Sequence, residues 1–242
     1  MGRYKPKKGF QPPTQNTQGM SYPSTTGSYP STPGSYPYQQ QGMSQMPQQQ
    51  SQYNPQDWPT NFPNPVIGID RDGVILEWKN MIKRYEDISY IQGSLDAIRQ
   101  LRLKGYKVVM FTDQPNIARG LMSDKDVEVI FNQLMTQFGQ AGIFSIDGFF
   151  YNQSDFPQDP YAKPNVGMIN RAQQQLGVNF TEGYYVGDTI EDIKMAQKAG
   201  AKPILVRTGK GTAVEKEYLK GINTKYNDVQ VFDNLLEFAN SL

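Results

Sequence analysis

The rhythm of apolar and polar positions changes several times along the chain. Val66-Ile67-Gly68-Ile69 is a continuous apolar run ending in Asp70, the pattern of a buried strand. Leu95, Ile98 and Leu101, with Leu103 at the margin, then recur at helical spacing until Gly105, which predicts a helix from Ser94 to Lys104. Lys107 to Thr112 reads as the next strand. Ser123 followed by Asp126 is a capping box, and Val127, Ile130, Phe131, Leu134, Met135 and Phe138 keep a 3.6-residue period behind it. A strand near Gly148 to Tyr151 follows, then a helix started by Pro164 and carrying Met168, Ile169, Ala172 and Leu176. A strand at Tyr184 to Val186, a helix from Glu191 to Ala199, a strand at Pro203 to Val206 and a β/α unit over Val229 to Leu242 complete the pattern.

Regular strand–helix alternation implies an α/β domain built on a parallel sheet with helices on both faces. Sites in such sheets lie beyond the carboxyl ends of the strands, where Asp70, Thr112 and Asp188 each follow a strand directly. Residues 1–65 have another character. They are rich in Gln, Pro, Ser, Tyr, Gly and Thr and almost lack Leu, Ile and Val, so they cannot bury enough apolar surface to offset their ordering entropy. A seven-residue unit recurs there, SYPSTTG from Ser21, SYPSTPG from Ser28 and SYPY from Ser35, with no apolar pair for a coiled coil and a proline in each copy. We expect a disordered tail over residues 1–65, acting as a tether or, through its tyrosines, in self-association or binding of an unidentified partner, and one domain over residues 66–242.

Charge and composition narrow the chemistry. The chain carries 24 Lys and Arg against 23 Asp and Glu. Arg3, Lys5, Lys7 and Lys8 lie at the extreme N-terminus and Asp57 is the sole acid before Val66, so the domain has 20 cations and 22 acids. That balance favours no general nucleic-acid surface. Neither cysteine nor histidine occurs, which excludes disulfides, thiolate or imidazole metal sites, Ser-His and Cys-His nucleophile pairs and histidine bases. Hydrolytic chemistry must rest on carboxylates, Lys, hydroxyls and a hard cation such as Mg²⁺. No apolar run approaches 18 residues and no signal-peptide core follows Met1, so the expectation is a cytoplasmic protein without a membrane partner.

Asp70 and Asp72 flank Arg71 at the end of the first strand. Strand side chains repeat every two residues, so both carboxylates can address one substrate, one attacking phosphorus and the other moving protons. An exposed acidic turn is the plain alternative. Thr112 can donate its hydroxyl to a phosphate oxygen, or be an ordinary strand-end hydroxyl. Lys163, before Pro164, can neutralise phosphoryl charge or be solvated at a helix start. In Gly187-Asp188-Thr189-Ile190-Glu191-Asp192, Asp188 can hold Mg²⁺ beside the nucleophile or serve the helix N-terminus. Each plain reading stands alone well; four strand-end features in one order are harder to set aside.

That order resembles the four motifs of haloacid dehalogenase (HAD) superfamily phosphatases. DRDGVI at Asp70, FTDQPNIARG at Phe111, AKPNVGM at Ala162, VGDTIEDI at Val186 and LVRTGKG at Leu205 look like the heptose-bisphosphate and histidinol-phosphate phosphatase branch, in register from Val66 to about Gly211. The resemblance implies a capless HAD-like fold and an aspartyl-phosphate on Asp70, with Asp72 as general acid/base. It makes Thr112 and Lys163 stabilisers of the phosphoryl group and sets Asp113 and Gln114 beside them as substrate contacts. Mg²⁺ would take Asp70, the Asp72 carbonyl and Asp188, with Asp192 in support.

Departures from the branch bear on the substrate. The branch has a zinc-binding Cys/His loop where Tyr151 to Tyr161 supplies no such ligands, basic residues where this chain has Ala162 and Thr189, and Asn where it has Asp113. Losing two cations at a bisphosphate site argues for another phosphorylated small molecule, such as a sugar phosphate, because each charge-assisted contact is worth roughly 1.5 to 3 kcal/mol. Two alternatives remain. A polynucleotide 3′-phosphatase shares the FT-x-Q-x-x-I-x-RG and KP-x-x-GM patterns, and a non-catalytic HAD-fold binding protein would be delivered by its tail.

Overall fold

The computed structural model describes residues 35–36, 65–143, 145–219 and 226–242. Its frame is a seven-stranded sheet in the order β1-β4-β3-β2-β5-β6-β7. The strands are β1 (Ser35–Tyr36), β2 (Val66–Asp70), β3 (Lys107–Asp113), β4 (Gly148–Asn152), β5 (Tyr184–Gly187), β6 (Lys202–Val206) and β7 (Gln230–Phe232). From β4 to β7 all pairings are parallel. β1 pairs antiparallel with β4, Ser35 opposite Phe150 and Tyr36 opposite Phe149. The expected disordered tail of residues 1–65 contains these two residues, which join the sheet because an edge strand offers unpaired N–H and C=O groups to an extended segment. The rest of that expectation falls outside the described residues, save for Pro65.

Parity along the strands sorts the core into two faces. Ile67, Ile69, Val108 and Met110 point to one side, where they meet Ala97, Ile98 and Leu101 of α1 (Ser94–Leu103) and Val127, Ile130 and Leu134 of α2 (Asp124–Gln140). Val66, Val109 and Phe111 point to the other, against Met168, Ile169 and Ala172 of α3 (Gly167–Leu176) and Met195 and Ala196 of α4 (Ile190–Ala199). There Phe111 gathers Phe150, Phe180 and Tyr185 at centroid distances of 5.7, 5.9 and 5.6 Å. A Cβ at Gly68 would run into the Tyr185 ring, so glycine lets that cluster close against the central strand. The short α5 (Gly211–Val214) and α6 (Leu235–Ser241) complete the helices, α6 returning to the first face through Leu235 and Phe238. No described helix is long and apolar enough to cross a membrane.

Two local expectations change. The third helix begins at Gly167 with Val166 as its N-cap, not at Pro164, because Pro164 lies in the preceding turn, which the Asn165 N–H closes on the Ala162 carbonyl at 2.8 Å. The fourth begins at Ile190, one residue early, since Thr189 is its N-cap and shares a capping box with Asp192. Ser123 and Asp126 form the box expected of them.

The sheet order fixes where a site can form. From β2 the chain moves outward through β3 to β4, then returns to the other side of β2 and proceeds through β5, β6 and β7. The connections leaving β2 and β5 therefore diverge, opening a crevice at the reversal of strand order. Asp70 closes β2 and Asp188 follows β5.

Candidate active site

Both carboxylates lie at the edge of a cavity of about 300 Å³ that opens to solvent and is also lined by Asp72, Thr112, Lys163 and Thr189. Asp70 is 6% exposed. Its Oδ1 accepts the Arg71 N–H at 2.8 Å and lies 2.8 Å from Lys163 Nζ. Both of these donors fall on one oxygen of the carboxylate. Lys163 Nζ also lies 2.8 Å from Asp192 Oδ1, so one ammonium bridges the end of β2 and the start of α4.

Each anchor has a local cause. Asp192 is the third residue of α4, and its Oδ2 accepts the Thr189 N–H at 3.1 Å while Thr189 Oγ1 accepts the Asp192 N–H at 3.2 Å. The capping box thereby aims the other oxygen at Lys163. Asp113 grips the same lysine from behind: its Oδ2 accepts the Lys163 backbone N–H at 3.3 Å and its Oδ1 accepts Asn152 Nδ2 at 2.9 Å. Gly187 completes the arrangement, since a Cβ there would overlap Asp192.

Asp72 has different partners. Arg71 grips it as a fork, Nε at 3.1 Å from both carboxylate oxygens and Nη2 at 2.8 Å from Oδ2. Thr112 Oγ1 donates to that Oδ2 at 2.9 Å, and Gln114 Nε2 donates to Thr112 Oγ1 at 2.8 Å. Thr112 and Gln114, expected to touch substrate, here hold Asp72 at the cavity wall, and Asp113 holds Lys163. Arg71 is the residue that sequence reasoning passed over. It is 1% exposed and lines the cavity, with Nη1 lacking a hydrogen-bond partner. In a D-x-D strand the middle side chain should face away, but Ile75 N–H and Leu76 N–H both bond to the Arg71 carbonyl, so the chain has begun to turn.

The electrostatics are one-sided. Asp70, Asp188 and Asp192 each bring a carboxylate oxygen within 4.8 Å of the others. Burial pushes the Asp70 carboxyl well up from the usual range; Lys163 opposes, while Asp192, Asp188 and Asp72 add to the rise. Burial, then Asp192, pushes Asp188 up to about 7 against the Lys210 N–H bond, Lys163 and the Lys210 charge. Burial alone would lower Lys163, but Asp192 and Asp70 outweigh it and hold the ammonium well above its ordinary range.

Such an excess of carboxylate suits a divalent cation, and the donor set fits Mg²⁺: hard oxygens only, from rigid strand ends. Asp188 Oδ1 is buried and accepts no hydrogen bond. Its Oδ2 accepts the Lys210 N–H at 2.8 Å. Gly73 (φ +89°) and Gly209 (φ +56°) press against this carboxylate, and a Cβ on either would overlap it. Asp192, committed to Lys163 and its cap, is better placed to orient than to ligate.

The family model described as HAD-hydrolase-like matches residues 160–238. A D-glycero-beta-D-manno-heptose-1,7-bisphosphate 7-phosphatase from Haemophilus ducreyi is 32% identical over 160 residues, covering 63% of this chain and 88% of that protein. One of the same description from Escherichia coli is 31% identical over 163 residues, covering 63% and 84%. Among solved structures, the D,D-heptose 1,7-bisphosphate phosphatase from B. bronchiseptica complexed with magnesium and phosphate superposes with a TM-score of 0.66 at 27% identity, covering 73% of this chain and 97% of that one. Fold, site and similarity over nearly the full length of these relatives agree: the chain belongs to the haloacid dehalogenase (HAD) superfamily of hydrolases, in its phosphatase branch.

Proposed function

We propose that the protein hydrolyses a phosphomonoester in a Mg²⁺-dependent reaction through an aspartyl-phosphate on Asp70, acting on a small sugar phosphate or related metabolite. The observation that carries this reading is the convergence on Asp70: a buried carboxylate on the lining of an open cavity, with one oxygen pinned by Arg71 N–H and Lys163. Pinning Oδ1 fixes the direction of attack, which is most of what positioning contributes to such a displacement. Lys163, held charged by two carboxylates, neutralises oxygen charge on the transferring group. Asp72, fixed by the Arg71 fork, stands where a proton can pass to the leaving oxygen and later be taken from water. A bound Mg²⁺, held by Asp70 and Asp188, would screen the acid cluster and polarise the phosphoryl oxygens.

The leaving group is constrained by the cations around the cavity. Arg71 and Lys163 are already matched to acids. Lys79 donates to the Asp87 carbonyl and to Ser89 Oγ, and Arg119 leans on Asp155. With Ala162 and Thr189 replacing basic residues of the heptose branch, a second phosphate would find few partners, which favours a monophosphate. The test is phosphate release from a panel of sugar monophosphates and bisphosphates with Mg²⁺ and with chelator. Turnover lost in chelator and restored by Mg²⁺, with monophosphates preferred, is the expected result; equal turnover without a divalent cation would refute it.

A further inference from the structure

The segment between β2 and α1 folds over the mouth of the cavity, tied by bridges from Leu76 to Asp72 and to Tyr90. It places Trp78 and Met81 on the cavity lining, where Trp78 is 49% and Met81 39% exposed. Single exposed apolar residues are ordinary on a protein surface. This one is not isolated. Lys210 Nζ lies 4.7 Å from the centroid of the Trp78 ring, a cation–π contact. The backbone N–H of Lys210 is the donor to Asp188 Oδ2, and Thr208 Oγ1 donates to the Gly73 carbonyl at 2.7 Å. The Lys210 segment thus holds an ammonium against the indole and an N–H against the Asp188 carboxylate, on the lining of the cavity that Lys163 also shares.

We propose that Trp78 and Lys210 form the subsite for the leaving group: Trp78 packs against a flat apolar ring face, and Lys210 pairs with an anionic or carbonyl oxygen of the same group. This subsite rests on the phosphatase reading above and adds the two residues that would recognise the leaving group of a phosphomonoester, a group that carries a ring. An indole gives large contact area at low entropic cost, and its π face suits both a nucleobase and the C–H face of a pyranose. Among the cavity-lining cations described, Lys210 is the one whose ammonium rests on a ring rather than on an oxygen acceptor, so turning to a ligand breaks no ion pair, and its backbone N–H stays on Asp188.

The experiment measures kcat/KM of the full chain with Mg²⁺ for a nucleoside 5′-monophosphate, glucose 6-phosphate and the acyclic glycerol 3-phosphate, for wild type, Trp78→Ala, Trp78→Phe and Lys210→Met. Trp78→Ala is expected to cut the ratio of the preferred cyclic substrate to glycerol 3-phosphate about tenfold, with Trp78→Phe recovering most of it. A drop confined to the nucleotide assigns a base; one confined to glucose 6-phosphate assigns a sugar ring. An unchanged ratio in Trp78→Ala overturns the subsite while the phosphatase reading stands. If wild type turns over none of the three, the phosphatase reading is judged on the sugar-phosphate panel above and the subsite on binding alone. Trp78 fluorescence in a Trp58→Phe chain then decides the subsite: quenching by the cyclic compounds but not by glycerol 3-phosphate supports it, and no selective quenching removes it.

Discussion

Lys163 is the residue through which the charges of the site are balanced. Its ammonium contacts Asp70 and Asp192 and its backbone N–H is held by Asp113. Replacing it with methionine leaves buried carboxylates facing each other and, on the proposed reaction, would remove the charge that neutralises the phosphoryl group. Lys163→Met should lower kcat by about 10²-fold or more, as loss of an oriented charge-stabilising donor does, checked by steady-state kinetics at saturating substrate. Asp70, Asp72, Thr112 and Asp188 were legible as strand-end residues, because a parallel sheet brings such positions together whatever their separation in sequence, and Lys163 only as the residue before Pro164. What each side chain touches was not legible. Thr112 and Gln114 bond to Asp72, and Arg71 turns inward, because these outcomes depend on loop geometry that periodicity does not encode.

Among the elements, α4 links stability to chemistry most directly. Thr189 caps its first turn and fixes Asp192, which in turn fixes Lys163. Thr189→Val should cost about 1 kcal/mol through loss of the cap. In a domain of this size that lowers Tm by roughly 2–4 °C, measurable by calorimetry, and kcat should fall beyond what the lost folded fraction explains. The capped helices were the best-read parts of the chain, since a capping box is a local signal: Ser123 with Asp126 starts α2 as expected. The helix assigned to Pro164 was misread because a proline before a helix serves as first residue or as turn, and only the tertiary position of Lys163 decides. Ser35–Tyr36 gave no strand signal, since its pairing depends on an edge supplied by β4.

For the whole molecule, the unbalanced acid cluster ties cation binding to pH. The folded-state carboxyl of Asp188, at about 7 against an ordinary 3.8, favours its proton. Its contribution to stability is present below about pH 4 and is lost as pH rises through about 7, where the ionised cluster opposes the fold. A Mg²⁺ bound as proposed would have to displace that proton, so its affinity should rise over the same interval, and the Mg²⁺-induced rise in Tm should be larger at about pH 8 than at about pH 5.5. Thermal melts with and without the ion check this, and elemental analysis should find no stoichiometric zinc, because the chain has neither Cys nor His. Removing residues 1–62 should leave kcat/KM for a small phosphomonoester within about twofold, since β2, which carries Asp70, begins at Val66. The central claim is that Asp70 takes the phosphoryl group, and its most direct measurement is acid-quenching of the enzyme during turnover of a radiolabelled phosphomonoester, followed by peptide mapping. Acid-stable label on the peptide containing Asp70, absent from Asp70→Asn, is the predicted result; full turnover by Asp70→Asn, or label on a different residue, would contradict it.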